Sequence, residues 1–350
     1  MSNSIARSFA GANTGDGFIS FYDGIFCEEK LAGLYIIKGG PGTGKSTFMR
    51  KLGNAALDRG YSCEHYICGS DGNSLDGIII SNESVKVGVI DGTPPHPREF
   101  RSPGASGDIL NFGMFWNSNG LREVRDEIDE LNREKSSAFE TAYRYLGAAK
   151  KIERHIGELT RSIYLENKAY RVAEKLVLTA GTKGEVSHKQ LKSCTMNGVA
   201  ELLPVEISEQ IYLTGNDETA KLFLCDVIKA VRKNSISAHI SRSIIDFSMP
   251  DSVYFPESKV YVRIGTPDDP NEKTINMRRF IDNDVLRSCR QKLRFGKKCR
   301  DSLICGAVKS LDMAKEYHFA LEEIYIKHMD YEALEDQSLF WYKEILSRLD

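Results

Sequence analysis

A short glycine-rich segment carries the strongest chemical signal in this chain. The pattern G-x-x-x-x-G-K-[ST] is matched at every fixed position, with one more hydroxyl residue after it, by Gly39, Gly40, Pro41, Gly42, Thr43, Gly44, Lys45, Ser46 and Thr47. Glycines at this spacing let successive backbone N–H groups converge on phosphate oxygens. Because an apolar strand pattern precedes the segment and a helix pattern follows it, we expect phosphate at a helix N-terminus here.

The two polar residues that end the motif indicate which ligands it would bind. Lys45 is expected to reach the β- and γ-phosphates of a nucleotide, and the Ser46 hydroxyl is expected to ligate Mg²⁺. A further magnesium ligand should be a carboxylate at the end of a neighbouring apolar strand, and Asp91 ends the run Val85–Asp91. The expected cofactors are therefore ATP and Mg²⁺. ATP is favoured over GTP because the chain has no N-K-x-D-type segment to read guanine.

The group that would activate a water or an acceptor hydroxyl is harder to assign. Asp91 is followed by Gly92 and not by a glutamate. The candidates are Asp71 and Asp76 after the second strand and His96 beyond Asp91, although each residue type also suits a turn. Arginines in or beside the next loop are either ordinary surface residues or groups that neutralise phosphoryl charge; they are Arg98, Arg101, Arg122 and Arg125.

The elements that must position these residues alternate between strands and helices. Apolar runs predict strands at Leu34–Lys38, Cys63–Gly69 and Val85–Ile90, and a helix pattern covers residues 45–59. Near-continuous apolar strands alternating with helices are typical of an α/β fold with a parallel sheet flanked by helices. The proline- and glycine-rich residues 92–120 predict one long loop, and loops of that length tend to be functional.

The next segment, residues 121–178, contains no proline and has apolar residues at helical spacing. It predicts one long helix or a helical hairpin that projects from the sheet. Two interpretations remain open: the apolar stripe packs on its own protein, or this helical arm binds a protein partner. The segment Thr179–Ser187 has the composition of a linker.

The second half of the chain repeats the first in four ordered matches. The matched segments are Tyr35–Lys45 with Ile211–Lys221, Val87–Pro97 with Val260–Pro270, Leu146–Lys150 with Leu311–Lys315, and Ile163–Tyr170 with Ile324–Tyr331. We therefore predict a duplication into two tandem domains with helical extensions, residues 1–180 and 185–350, packed as an internal pseudo-dimer.

The second copy lacks most of the chemical equipment of the first. Ala220 stands at the position of Gly44, Leu222 at that of Ser46, and Ile264 at that of Asp91. Lys221 remains, but Asp217 and Glu218 would repel phosphate. The second half is therefore expected to be a degenerate copy that does not hydrolyse nucleotide.

Composition limits the partners of the chain. Lys and Arg number 47 against 49 Asp and Glu, a formal net charge of −2, so nothing favours nucleic acid or an anionic membrane as a partner.

Apolar runs are far shorter than the roughly 18 residues of a membrane span, and residues 1–17 lack the apolar core of a secretory signal. Eight cysteines without C-x-x-C spacing suggest reduced thiols. We expect a soluble cytoplasmic protein.

Over nearly its whole length the sequence resembles a family of uncharacterised bacterial proteins with two P-loop domains in tandem, usually labelled ATPases or nucleotide-kinase-like proteins. The resemblance is carried by Phe9–Phe18, Lys38–Ser46, Ser70-Asp71, Ser74–Gly77, Asp91–His96 and the Ala-Lys and Ile-Tyr helix segments. It implies a P-loop NTPase fold and nucleotide binding. Typical members keep a phosphate loop in both halves, whereas this chain departs from that pattern in its second half.

Three functions are consistent with these residues. The leading one is a Mg²⁺-dependent ATPase with one active site in the N-terminal half. The first alternative is a small-molecule or nucleotide kinase, in which Asp71 takes the proton of an acceptor hydroxyl. The second is a nucleotide-gated scaffold that binds ATP and scarcely hydrolyses it, which the degenerate second half favours.

Overall fold

Two six-stranded mixed sheets, both flanked by helices, organise the protein. The computed structural model describes residues 5–93, 98–102 and 104–350, so the candidate His96 lies outside the described residues. The elements of the first half are β1 (Ala6–Phe9), β2 (Gly11–Thr14), β3 (Gly17–Ser20), α1 (Tyr22–Ile25), β4 (Gly33–Lys38), α2 (Lys45–Asp58), β5 (Ser62–Ile67), β6 (Leu75–Ser81), β7 (Lys86–Asp91), β8 (Gly107–Asn111), α3 (Ser118–Glu123), α4 (Arg125–Ile163) and α5 (Glu166–Ala180).

The first sheet is mixed, which corrects the prediction of a parallel sheet. In the order β1-β5-β6-β7-β4-β8, β6 runs antiparallel to both of its neighbours and the other pairs are parallel. The cause is the connection between β5 and β6, which spans only residues 68–74. A parallel crossover needs a dozen or more residues, so this short turn allows only an antiparallel return.

The predicted loop at residues 92–120 contains an edge strand. Strand β8 pairs in parallel with β4, from Leu34 opposite Gly107 to Lys38 opposite Asn111. A side chain at Gly107 would collide with the carbonyl oxygen of Leu34, so glycine permits this close pairing. Its sequence, Gly-Asp-Ile-Leu-Asn, contains only two consecutive apolar residues, of which Ile109 is 49% exposed and Leu110 is buried, so no apolar run marked it as a strand.

The second sheet has the same strand order and directions as the first. Its half contains β9 (Val186–His188), β10 (Lys192–Thr195), β11 (Gly198–Glu201), β12 (Glu209–Thr214), α6 (Asp217–Lys233), β13 (Ala238–Arg242), β14 (Pro250–Phe255), β15 (Val260–Ile264), β16 (Lys273–Asn276), α7 (Asn283–Lys327) and α8 (Tyr331–Ser347). The order β9-β13-β14-β15-β12-β16 has one antiparallel member, β14. Strand β9 and the end of α5 occupy part of the predicted linker 179–187.

The long helices join the two halves. The predicted arm is the 39-residue helix α4 followed by α5, and α4 packs antiparallel along α7, with Ile156 against Gly296 and Tyr145 against Gly306. The shorter helices α5 and α8 each pack on the sheet of the other half of the chain. Helix α5 buries Ala173 and Val177 in the core of the second sheet, whereas α8 buries its apolar face in the core of the first. Each sheet is therefore covered in part by a helix from the other half of the sequence.

No helix in the described ranges combines the length and the apolar character that crossing a bilayer requires.

Candidate functional site

The glycine loop, residues 39–47, connects β4 to α2 in a conformation that needs glycine. Gly42 and Gly44 have φ of +68° and +86°, a left-handed region that glycine enters without steric cost. The Thr43 hydroxyl closes the loop by donating to the Gly40 carbonyl oxygen at 2.9 Å. No side chain of the described residues caps the first turn of α2. The N-terminal N–H groups of this helix therefore remain suited to an anion.

Lys45, the first residue of α2, and Asp91, the last residue of β7, are both predicted site residues and lie side by side. Asp91 ends β7, opposite Ile37 of β4, and its Oδ2 atom lies 3.6 Å from the Lys45 Nζ. The ammonium group also donates to the carbonyl oxygens of Gly40 and Gly39, at 2.6 and 3.4 Å. Both side chains are largely buried, so the pair is screened little by solvent.

Two buried carboxylates lie together at this end of the sheet. Asp76, at the start of β6, adjoins Asp91 because Gly77 pairs with Ile90. Burial raises the pKa of Asp91, with the Asp76 charge acting in the same direction and Lys45 opposing both. The N–H and hydroxyl groups of Thr93 donate to Asp91 Oδ1 at 2.9 and 2.6 Å. Neighbouring buried carboxylates repel each other, which a bound cation would relieve.

The donor atoms suit magnesium better than a metal held by the protein alone. In the described ranges, no group of three or more His, Cys, Asp and Glu side chains converges on one point. Mg²⁺ keeps several waters and takes one or two protein oxygens plus substrate phosphates. The Ser46 hydroxyl accepts a hydrogen bond from the Leu75 N–H at 3.0 Å, which keeps its oxygen at the edge where Asp91 and Asp76 lie. Ser46 and Asp91 are therefore the residues that fit such an ion.

The other predicted residues make contacts elsewhere. The Asp71 carboxylate accepts the Asn73 N–H at 3.0 Å in the turn before β6, and Thr47 is exposed at the start of α2. The four candidate arginines all contact local partners: Arg98 contacts Asp23 and the Phe26 carbonyl, Arg101 contacts Glu29, Arg122 contacts Asn119, and Arg125 contacts Asp129.

Residues from the second half, which the sequence did not predict, lie on the glycine loop. A side chain at Gly40 would collide with the Tyr325 ring, and Gly42 packs against the backbone of Glu322. The Tyr331 hydroxyl donates to the carbonyl oxygen of Gly42. These residues belong to the end of α7 and the start of α8. They are about 280 positions from the loop, and no local pattern could have identified them.

Charges from both long helices also converge on the loop. Hydrogen bonding to His318 lowers the pKa of Glu322, and the Gly42 N–H and the charge of Lys45 act in the same direction. Lys135 of α4 lies close enough that burial and the charge of Lys45 lower its pKa, while Glu322 opposes the shift. A glutamate carboxylate thus faces a loop N–H group, the kind of donor that would bind a phosphate oxygen.

The corresponding place in the second half is filled by protein side chains. Helix α6 begins four residues before Lys221, whereas α2 begins at Lys45 itself, so the helix replaces the glycine loop. Asn216 caps α6 by accepting the Thr219 N–H at 3.0 Å. Lys221 pairs with Glu153 of α4 and with Glu218, and Arg300 of α7 contacts both glutamates. In this ion cluster the Lys221 ammonium is paired with buried carboxylates.

Comparisons of the chain with protein-family models, curated proteins and solved structures find no match.

Proposed function

We propose that the glycine loop binds the phosphates of a nucleoside triphosphate, with ATP favoured, and that the protein is a Mg²⁺-dependent ATPase. The observation that carries the proposal is the convergence of Lys45, Ser46 and Asp91 at an uncapped helix N-terminus. Loop N–H groups and a lysine bind phosphate oxygens, while a serine hydroxyl and a carboxylate serve the magnesium ion. These groups lie on adjoining elements and need no rearrangement of the sheet.

Each residue has a distinct task in this proposal. Lys45 moves from the Gly40 carbonyl to the phosphates and neutralises charge that develops during phosphoryl transfer. Asp91, raised in pKa by burial, becomes fully ionised when a cation binds beside it. Asp76 adds a second negative charge at the same place. The bound ion would supply charge neutralisation at the β- and γ-phosphates.

We further propose that the two halves are duplicated P-loop domains of which only the first binds nucleotide. The shared strand order, including the one antiparallel strand in each sheet, supports the duplication. The ion cluster of Lys221, Glu153, Glu218 and Arg300 supports the loss of the second site, because buried carboxylates stand beside the lysine that would otherwise bind phosphate.

A small-molecule kinase is the second candidate, and one cavity favours it. A space of about 440 Å³ is lined by Tyr22, Arg98 and Glu28 among others. Tyr22 interacts with Asp76, and burial together with the Asp76 charge raises the pKa of the Tyr22 hydroxyl. Asp76, through its interaction with the lining residue Tyr22, would then be the proton acceptor in place of Asp71.

Phosphate release from Mg·ATP by the purified protein tests the proposal. We expect phosphate release without any added acceptor. Release should fall by about tenfold or more in Ser46→Ala and in Asp91→Asn, because each substitution removes a ligand of the magnesium ion that neutralises phosphate charge. Asp58→Asn, an exposed position at the end of α2, is the matched control. Tight binding without release would contradict the ATPase, and a screen of hydroxyl acceptors would then separate a kinase from a nucleotide-gated scaffold.

A further inference from the structure

A second cavity, of about 720 Å³, opens beside the glycine loop. One wall is formed by residues 114–117, which follow β8, and the other by residues 327–333, which join α7 to α8. Small-molecule pockets have volumes of about 300–1,000 Å³, so the space is large enough for a purine and its ribose.

The position of the cavity relative to the loop follows from the sheet. Strands β4 and β8 are parallel neighbours, so the segments that leave their carboxyl ends emerge at the same edge. The glycine loop leaves β4 and the first cavity wall leaves β8. The two segments start close together, because a Cβ atom at Gly39 would lie 3.1 Å from the Cβ of Phe112, which precedes that wall.

Two aromatic side chains connect the cavity to the loop. Tyr331 lines the cavity and donates its hydroxyl to the Gly42 carbonyl oxygen. Tyr325 packs on Gly40, and its ring centroid lies 5.7 Å from that of Trp116, another lining residue. A ligand that extends from the loop along these rings would therefore enter the cavity.

The two walls are held together by backbone hydrogen bonds. The Asn117 N–H donates to the His328 carbonyl oxygen at 2.7 Å, and the Asp330 N–H donates to that of Phe115 at 2.8 Å. Trp116 and Met329 form the antiparallel bridge between these bonds. Backbone hydrogen bonds therefore fix the position of one cavity wall relative to the other.

The lining chemistry suits an uncharged aromatic group. Apolar and aromatic side chains from both walls provide stacking surface, namely Met114, Phe115, Trp116, Met329 and Tyr331. The ionised lining residues, Lys327, Asp330 and Glu332, sum to one negative charge, which disfavours a further anion. Asn117 and His328 also line the cavity and have polar groups that can hydrogen bond to a ring edge.

We infer that this cavity binds the nucleobase of the nucleotide whose phosphates the glycine loop holds. The inference rests on the proposed nucleotide binding and adds the place where the base is held. Because one wall comes from the α7–α8 connection, the second half of the chain would contribute directly to the nucleotide site of the first. Stacking of a base on aromatic and methionine side chains would provide affinity that phosphate contacts alone do not.

Binding of Mg·ATP and of Mg·tripolyphosphate, which has no base, tests the inference. We expect Met114→Ala to weaken ATP binding by about threefold to tenfold and to leave tripolyphosphate binding unchanged. Met313→Ala, at a 54% exposed position on α7, should change neither. ATP should also alter the emission of Trp116, a signal lost in Trp116→Phe and kept in Trp341→Phe, whereas tripolyphosphate should not.

The outcomes separate this inference from the proposed function. Equal effects of Met114→Ala and Met313→Ala, together with ATP binding that leaves Trp116 emission unchanged, would overturn the inference and keep nucleotide binding. If neither ATP nor tripolyphosphate binds to the wild-type protein, both proposals fail.

Discussion

Lys45, at the start of α2, and Asp91, at the end of β7, form an ion pair, with Nζ 3.6 Å from Oδ2 and with 11% and 15% of their side chains exposed. Desolvation makes such a largely buried ion pair a weak source of stability. Its location at the carboxyl ends of parallel strands, beside a helix N-terminus, is instead typical of a binding site. Under the proposed function, a phosphate and a cation would enter together beside this pair.

Removing the Lys45 charge should weaken nucleotide binding. In Lys45→Ala we expect the affinity for Mg·ATP to fall by about 10- to 100-fold, since a charge-assisted hydrogen bond to phosphate is lost. Titration calorimetry measures the change. Lys51→Ala, which removes an exposed lysine of the same helix, is the control, and equal affinities in the two variants would rule out the glycine loop as the phosphate site.

Glu322 should compete with phosphate for the glycine loop. Together with a hydrogen bond to His318, the Gly42 N–H and the charge of Lys45 lower the pKa of its carboxyl group, so nucleotide must replace its interactions with the loop. We expect Glu322→Gln to bind Mg·ATP about threefold to tenfold more tightly, because a neutral amide repels phosphate less. Glu323→Gln, at the exposed neighbouring position, changes the net charge equally. Unchanged or weaker binding in Glu322→Gln would contradict the competition.

Local sequence patterns were sufficient to predict the glycine loop and its helix. The structure begins α2 at Lys45 and ends β7 at Asp91, as the motif and the apolar run indicate. These features depend on neighbours in sequence: glycine conformations, an apolar strand, and a helix pattern. Strand β6 was not among the predicted strands, and the antiparallel direction that it gives the sheet follows from the short turn at residues 68–74.

Contacts between the halves could not be predicted in this way. Tyr331 reaches Gly42, and Arg300 reaches Glu153, through the packing of α7 and α8 on the first half. Such pairs lie far apart in sequence, and nothing in their own residue types specifies the partner. The sequence therefore predicts the components of one site but not the residues that the second half adds to it.

The ion cluster in the second half should affect stability and not nucleotide binding. Lys221→Met leaves the buried carboxylates of Glu153 and Glu218 with less compensating charge, so we expect the free energy of unfolding to fall by about 3 kcal/mol. Nucleotide affinity should stay the same, with one nucleotide bound per chain. Urea unfolding and calorimetry measure both.

Lys229→Met tests whether this effect belongs to the cluster. Lys229 is on the same helix, with 64% of its side chain exposed, and its replacement should alter stability by less than about 0.5 kcal/mol. Two nucleotides per wild-type chain, or a loss of affinity in Lys221→Met, would show that the second half binds nucleotide after all.

The crossover of α8 makes the first sheet depend on the last helix of the chain. Trp341 is 8% exposed and packs against Phe112 with ring centroids 5.6 Å apart. Trp341→Ala should therefore lower the free energy of unfolding by about 3–5 kcal/mol. The neighbouring Phe340, 61% exposed, is the control, and Phe340→Ala should change little. Similar unfolding midpoints in urea for both variants would contradict the packing of α8 on this core.

Buried His65 should make the protein less stable in acid. Burial, with smaller contributions from Arg50 and Arg7, lowers the pKa of His65 from 6.5 to about 4. Below pH 6.5 the unfolded chain therefore binds a proton that the folded protein excludes, and stability is lost progressively as the pH falls towards 4. For this group the loss amounts to about 2–3 kcal/mol.

Urea unfolding at pH 7 and at pH 4.5 measures how much the free energy of unfolding changes between the two pH values. His65→Leu removes the titrating group, so its free energy of unfolding should fall less between the two pH values than that of the wild-type protein. His155→Leu, which replaces a histidine with 59% of its side chain exposed on α4, should keep the wild-type dependence. If His65→Leu and the wild-type protein lose the same stability in acid, the imidazole of His65 is protonated as readily in the folded protein as in the unfolded chain, and burial does not control its charge.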